Sequence, residues 1–408
     1  MSPSVPEITS PLTLAARVAA LQPSATLAMV ARVAQLRADG VKILGLTAGE
    51  PDFGPPKAAE RAGIEAIRAG KGRYTAGAGM TELRAAAAEQ IRAEIGVEYA
   101  PEEVVVTTGG KLGINQALLA LVDPGSKVLV PTPCWTSYPE MVGIAGGVPV
   151  LVPCGDDHLP RVADLDAAAG PGTRVLLLNT PCNPTGAVYP AELCAEIGDW
   201  AQQRGVVVIS DEIYAALTYH GARHVSPIAA SPGLREQAVW IGGMSKAYAM
   251  TGWRMGFLAA PRPLAKVISN LQSQLASSPN AISQIASLAA LQEGAEEREV
   301  MRQAFERRCR LVSDGLRAMP GISCPVPQGA FYAFPSVREY FGKTDPATGR
   351  TVHSGDDFGE VLLEADHVGV IGGSAFGAPD NFRLSFAAAE DVLVDALERI
   401  GNRLAALR

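Results

Sequence analysis

The sequence predicts an α/β fold: a large domain with a seven-stranded, mostly parallel sheet between helices, followed by a smaller C-terminal α/β domain. Three observations carry this. The chain has 408 residues, more than a single hydrophobic core sustains. Seven short apolar runs rich in β-branched residues recur between residues 104 and 259, separated by helix-length segments. The runs are continuously apolar rather than alternating, as strands covered on both faces are. Strand–helix alternation over such a length implies a mostly parallel sheet wrapped by helices.

Taken in order, residues 1–11 form a polar arm punctuated by proline. Ser24 caps a helix that runs through Leu27, Val30, Val33 and Leu36 and stops at Gly40. A short strand over 41–46 leads into a turn-rich loop, 47–56. One helix then ends near Gly70 and another spans 81–94, with the glycine-dense stretch 70–79 as a loop between them. The seven strands follow at 104–107, 127–130, 149–152, 174–178, 206–209, 238–241 and 255–259. Beyond Arg262 helical patterns dominate, including an Arg- and Glu-rich stretch over 296–319. Residues 321–408 alternate helices with strands at 330–334, 368–371 and 382–386. The expected division is an arm and helix (1–48) packing with the small domain, a large domain (49–295) and a small domain (296–408).

Composition excludes several classes. A net charge of −7, with no long block of like charge, provides no basic face for nucleic acid. No apolar run approaches the roughly 18 residues of a membrane span. The N-terminus lacks the basic and apolar regions of a secretory signal. Six scattered cysteines suit reduced thiols better than a disulfide or zinc framework, and the five histidines form no metal-ligand set. A cytoplasmic protein without metal, membrane or nucleic-acid partner is expected.

In a parallel sheet the ligand sits outside the carboxyl ends of the strands. Strand 104–107 runs into Thr108-Gly109-Gly110-Lys111 at the start of a helix. Such a turn presents backbone N–H groups and a favourable dipole to an anion, although a plain glycine-rich helix start accounts for it equally. It is not a dinucleotide fingerprint. Strand 127–130 is followed by Trp135, an aromatic platform. After strand 174–178, Pro184 pushes Asn183 toward an extended conformation from which its amide projects. Strand 206–209 delivers Asp211 and Tyr214. Asp211 can hold a protonated ring nitrogen, and Tyr214 can donate to a phenolate oxygen; Asp211 can also simply cap the next helix. Strand 238–241 leads to Ser245 and Lys246, with Arg254 eight residues on. The chain has only eight lysines against 27 arginines, so one among Gly, Met, Ala and Trp is unlike a random solvated charge. A desolvated lysine loses basicity and becomes an amine nucleophile, for which an aldehyde is the natural partner. Ser245 and Arg254 then suit a phosphate. Together these pieces describe a pyridoxal-phosphate pocket.

The chain resembles the class I aminotransferases of fold type I, in particular the bacterial aspartate aminotransferase branch that includes thermophilic enzymes. The resemblance runs from about residue 20 to the end and is carried by Pro23-Ser24-Ala25-Thr26-Leu27, Leu46-Thr47-Ala48-Gly49-Glu50-Pro51-Asp52-Phe53, the Tyr74 loop, Gly109-Gly110-Lys111, and Pro133-Cys134-Trp135-Thr136-Ser137-Tyr138-Pro139-Glu140-Met141. It continues through Asn183-Pro184-Thr185-Gly186, Asp211-Glu212-Ile213-Tyr214, the stretch from Ser245-Lys246 to Gly252-Trp253-Arg254, and Arg383-Leu384-Ser385.

The resemblance implies a pyridoxal 5'-phosphate enzyme that moves amino groups between an L-amino acid, aspartate or glutamate first, and a 2-oxo acid by a ping-pong mechanism. It implies Lys246 as the cofactor-bound lysine and proton shuttle, Asp211 on the ring nitrogen, Tyr214 and Asn183 on the ring oxygen, and Trp135 stacked on the ring. Gly109, Gly110, Ser245 and Arg254 would bind phosphate beside Lys111, joined by Tyr74 from the second subunit of a homodimer. Arg383 would clamp the substrate α-carboxylate under the Gly49 loop, and Lys111 would pair with a distal carboxylate. Two departures stand out: Gly243 replaces a serine that many relatives carry, and the loop 75–79 lacks the branch's proline. Alternatives are an aromatic, prephenate or specialised donor, or elimination, racemisation or oxidation in the same pocket. A DNA-binding regulator of this fold would need a further N-terminal domain, and a nicotinamide dehydrogenase the absent glycine fingerprint.

Overall fold

The computed structural model describes residues 14–23 and 25–408, so the expected Ser24 cap lies outside the described residues. The helix it would begin runs Ala25–Ala38 and is followed by a strand of only two residues, β1 (Leu44–Gly45).

The large sheet contains β2 (Val104–Thr107), β3 (Lys127–Thr132), β4 (Val148–Pro153), β5 (Thr173–Asn179), β6 (Val207–Asp211), β7 (Ala238–Gly243) and β8 (Gly256–Ala259), in the spatial order β2-β8-β7-β6-β5-β3-β4. Its strands are parallel except β8, which runs antiparallel to both neighbours. The reason is the short connection from β7: residues 244–255 contain one turn of helix (Met244–Ala247) and cannot cross over to begin a parallel strand. This hairpin brings Lys246 and Arg254 to the same end of the sheet.

The strands read as unbroken apolar runs because each face meets a different core. Val104, Val106, Leu176, Leu178 and Val208 pack with Leu83 and Ile91 on one side. Val105, Val175, Leu177, Ile209 and Ile241 pack with Ile114 and Leu118 on the other.

In the C-terminal part, β9 (Tyr332–Ala333), β10 (Val368–Gly369), β11 (Ile371–Gly372) and β12 (Phe382–Ser385) are all short. The single strand expected over 368–371 is broken at Val370, because β10 pairs in parallel with β1 while β11 pairs antiparallel with β12. The expected strands 41–46 and 330–334 shrink to two residues each for the same reason, having so little partner to pair with. A third core of Phe305, Val312, Phe331, Leu384, Phe386 and Ile400 joins this sheet to the long helices Ala295–Arg317 and Glu390–Ala406. Among the described residues, no helix is long and apolar enough to cross a membrane, and no cluster of His, Cys, Asp and Glu could hold a metal ion.

Candidate active site

The carboxyl ends of β5, β6 and β7, the start of the helix Gly110–Leu121, the loop 47–50 and the end of β12 surround a cavity of about 590 Å³. Gly49, Gly110, Lys111, Trp135, Asn183, Asp211, Tyr214, Ser245, Lys246, Arg254 and Arg383 all line it. Five cationic side chains (Arg37, Lys111, Lys246, Arg254, Arg383) face two carboxylates (Glu50, Asp211), so the cavity favours a ligand with several negative charges.

Lys246 sits on the single turn after β7, and its Nζ donates to the Gly49 carbonyl. Burial pulls its ammonium down to about 8; Glu50 opposes the shift, while Arg383 and Arg254 add to it. Such an amine is neutral in a useful fraction near neutral pH. Glu50 is itself fixed by Thr251, whose hydroxyl donates at 2.8 Å.

Asp211 closes β6 and accepts from the buried Tyr138 hydroxyl at 2.7 Å and from the Ile213 N–H at 3.2 Å. Burial raises its carboxyl to about 6; these two hydrogen bonds oppose the rise, and the neighbouring Glu212 adds to it. The capping alternative fails, because no helix begins between Asp211 and Pro227. The phenol of Tyr214 lies 3.0 Å from that of Tyr332.

Arg383 is 1% exposed and carries no carboxylate partner among the described residues. Its guanidinium donates to Asn183 Oδ1 at 2.9 Å and to the Thr47 carbonyl at 3.0 Å, over the rings of Tyr332 and Phe376. Nε has no partner in the structure. A buried fork held by neutral acceptors is prepared for an incoming carboxylate. Asn183 is positioned in turn by Asn179, whose Oδ1 accepts the Asn183 N–H at 2.8 Å.

Gly109 borders the anion cradle rather than the cavity: a Cβ there would lie 2.6 Å from the Arg254 guanidinium. The Gly110 and Lys111 N–H groups that open the helix Gly110–Leu121 have no intrahelical acceptor, and with Ser245 and Arg254 they make a phosphate-sized donor set. Lys111 stands above the Trp135 ring at 4.7 Å and donates to Ser137 Oγ at 3.1 Å. Among the described residues it forms no ion pair. Gly243 cannot carry the serine of many relatives without strain: at φ 152°, a Cβ would meet Gly256 Cα and the Met255 carbonyl, each at 2.8 Å. Tyr74 is the exception to the assembly, 89% exposed and not lining the cavity of its own chain.

Among the cavity residues to which the sequence assigns no role are Tyr138, Asn179, Tyr332 and Thr26. Tyr138 lies one helical turn after Trp135, and that spacing was the available signal. Asn179 ends the strand that delivers Asn183. Tyr332 reads locally as core, and Thr26, whose buried Oγ1 has no partner, lies on the N-terminal helix; neither has a local signal. The anion cradle, the buried amine and the buried carboxylate between them fit pyridoxal phosphate.

Residues 41–400 match the family described as aminotransferase class I and II. The chain is 43% identical over 389 residues to an aspartate aminotransferase of Geobacillus stearothermophilus, covering 95% of this chain and 98% of that one. The structure superposes on the aspartate aminotransferase of Rhizobium meliloti with a TM-score of 0.93 and 39% identity, over 97% of this chain and all of the other. An aspartate aminotransferase of Thermus thermophilus, solved with maleate, gives a TM-score of 0.89 and 39% identity, over 96% and 99% of the two chains.

Proposed function

The chain belongs to the class I and II aminotransferases and is a pyridoxal-phosphate-dependent aminotransferase acting on amino acids and 2-oxo acids, and we propose that its amino donors are the acidic L-amino acids aspartate and glutamate. The observation that carries the specificity is Lys111, an ammonium that lines the cavity without a carboxylate partner among the described residues. Arg383 supplies the second cation, so a dicarboxylate satisfies both. The relatives compared above are themselves named aspartate aminotransferases.

Pyridoxal phosphate, when bound, supplies a carbonyl that condenses with amines and a protonated ring that accepts electron density from the substrate α-carbon. The N–H groups of Gly110 and Lys111, with Ser245 and Arg254, would bind its phosphate. Asp211, kept in place by Tyr138, would hold a proton on the ring nitrogen. Tyr214 and Asn183 would donate to its ring oxygen, and Trp135 would offer it an aromatic face. Arg383 orients the α-carboxylate so that the α-hydrogen points at Lys246. The Lys246 amine would take that proton at Nζ and hold it within the cavity for return. One pocket serves both half-reactions, which gives ping-pong kinetics.

Two copies of the chain complete each site in this reading: the partner subunit's Tyr74 reaches the phosphate, which its exposure supports. The protein works in the cytoplasm, a reducing compartment in keeping with its six free cysteines.

The test is a donor screen against 2-oxoglutarate, oxaloacetate and pyruvate, run on the parent and on Lys111→Ser. The substitution should lower kcat/KM for aspartate about 30-fold or more relative to alanine, the consequence of removing one partner of a desolvated charge pair. Equal losses for both donors would refute Lys111 as the reader of the distal carboxylate.

A further inference from the structure

On the side of β6 away from the cavity lies a buried polar cluster that the chemistry above leaves unused. Glu212 is 1% exposed and sits beside Ile91, Ala87 and Trp240. Its Oε1 accepts from Ser210 Oγ and Ser226 Oγ, each at 2.7 Å, and its Oε2 lies 2.6 Å from His224 Nε2. The His224 side chain is 4% exposed, and its Nδ1 has no partner.

A doubly protonated His224 would bury an N–H facing no acceptor, which is unfavourable, so the contacts favour a neutral ring that donates from Nε2 to Glu212. The titratable groups facing Glu212 are His224, Asp211, Cys194 on the helix Ala191–Arg204, Tyr99, and Glu94 on the helix Thr81–Ile95. None of them brings a compensating positive charge. Arg235, which stacks on Tyr99, is already paired with Glu103 and Glu236. With His224 neutral, the cluster holds one buried negative charge immediately behind Asp211.

A purely structural tie would not need that charge. Glutamine would join the ends of the segment 212–226, which carries Tyr214, through the same oxygen, and would avoid the cost of burying an unpaired ion. What glutamate adds is a field at Asp211. We infer that Glu212, held ionised by Ser210, Ser226 and a neutral His224, is a positioning residue that acts through Asp211 to keep the proton on the cofactor's ring nitrogen. The inference rests on the assignment of Asp211 to that nitrogen. The upward push of Glu212 on the Asp211 carboxyl runs in the same direction.

The test uses holoenzyme reconstituted with pyridoxal phosphate carrying 15N in the ring, its nitrogen resonance followed from pH 6 to 9 in the parent, Glu212→Gln and Asp211→Asn. In Glu212→Gln the ring nitrogen should deprotonate at least about one pH unit lower than in the parent, including the case in which only the variant titrates within the range. Superimposable profiles for parent and Glu212→Gln overturn the inference. If Asp211→Asn responds normally and Glu212→Gln does not, only Glu212 loses its role. If Asp211→Asn leaves the profile unmoved, the assignment of Asp211 fails and takes the inference with it.

A second measurement needs neither substitution nor cofactor: the imidazole 15N shifts of the apoprotein. A neutral His224 protonated at Nε2 across pH 6 to 8 supports the inference, even should the glutamine variant not fold. An imidazolium at that position cancels the charge and overturns it.

Discussion

Replacing Lys246 by methionine, a stem of similar shape with no charge, should make the cofactor-free protein more stable at neutral pH while abolishing transamination. The ammonium falls from 10.5 to about 8 in the fold, chiefly through burial, a difference equivalent to about 3 kcal/mol. Above pH 10.5 folded and unfolded chains both hold a neutral amine, and titration adds nothing. As the pH drops from 10.5 to about 8, the unfolded chain takes up a proton that the folded chain does not, so the parent loses stability progressively. Below about 8 both forms are protonated and the penalty is complete. Methionine also forfeits the hydrogen bond to the Gly49 carbonyl, worth about 1 kcal/mol. The net expectation is a gain of about 2 kcal/mol at pH 7 that reverses to a loss of about 1 kcal/mol near pH 11. Urea titrations of the two apoproteins at several pH values measure this directly. A stability difference that does not vary with pH would refute the assignment of a depressed, buried amine at this position.

Tyr138→Phe removes a donor that holds the Asp211 carboxyl down, so the carboxyl should rise further above about 6. The dissociation constant for pyridoxal phosphate should then increase about tenfold, and an unchanged value by fluorescence titration would exclude the role. Gly243→Ser should lower stability by about 2 kcal/mol, since the added Cβ meets backbone and the φ is unsuited to a side chain. A thermal midpoint equal to that of the parent would contradict this packing. Arg383→Lys keeps the charge but loses the fork that spans Asn183 and Thr47 and that is proposed to receive the substrate carboxylate. KM for every donor should rise about 100-fold, and steady-state kinetics showing a selective loss for aspartate would instead place Arg383 at the distal carboxylate.

The sheet was legible because its strands are buried on both faces: Val104 to Val106 and Val175 to Leu178 are too continuously apolar for a surface strand. The direction of β8 was not legible. An antiparallel strand buried on both faces has the same apolar run, and only the short connection 244–255 distinguishes it. The small domain was read less well, since β1, β9, β10 and β11 take their partners from distant segments over two residues each.

The same division holds in the site. Lys246, Asp211, Tyr214 and Asn183 each follow an apolar strand directly, so their chemistry and location are encoded locally, and strand order delivers them to one edge. Arg383 is different. Its acceptors lie 200 and 336 residues away, on Asn183 and Thr47, and its neighbour Tyr332 belongs to another strand. Tyr138 meets Asp211 across 73 residues, and Gly49 meets Lys246 across 197. The sequence alone determined which strands form and which reactive groups end them, because apolar periodicity and turn chemistry act over a few neighbouring residues. Only the tertiary structure decided which of those groups are desolvated, what opposes their charge and which carbonyl or hydroxyl holds them, because burial and electrostatic fields are properties of the whole packed chain.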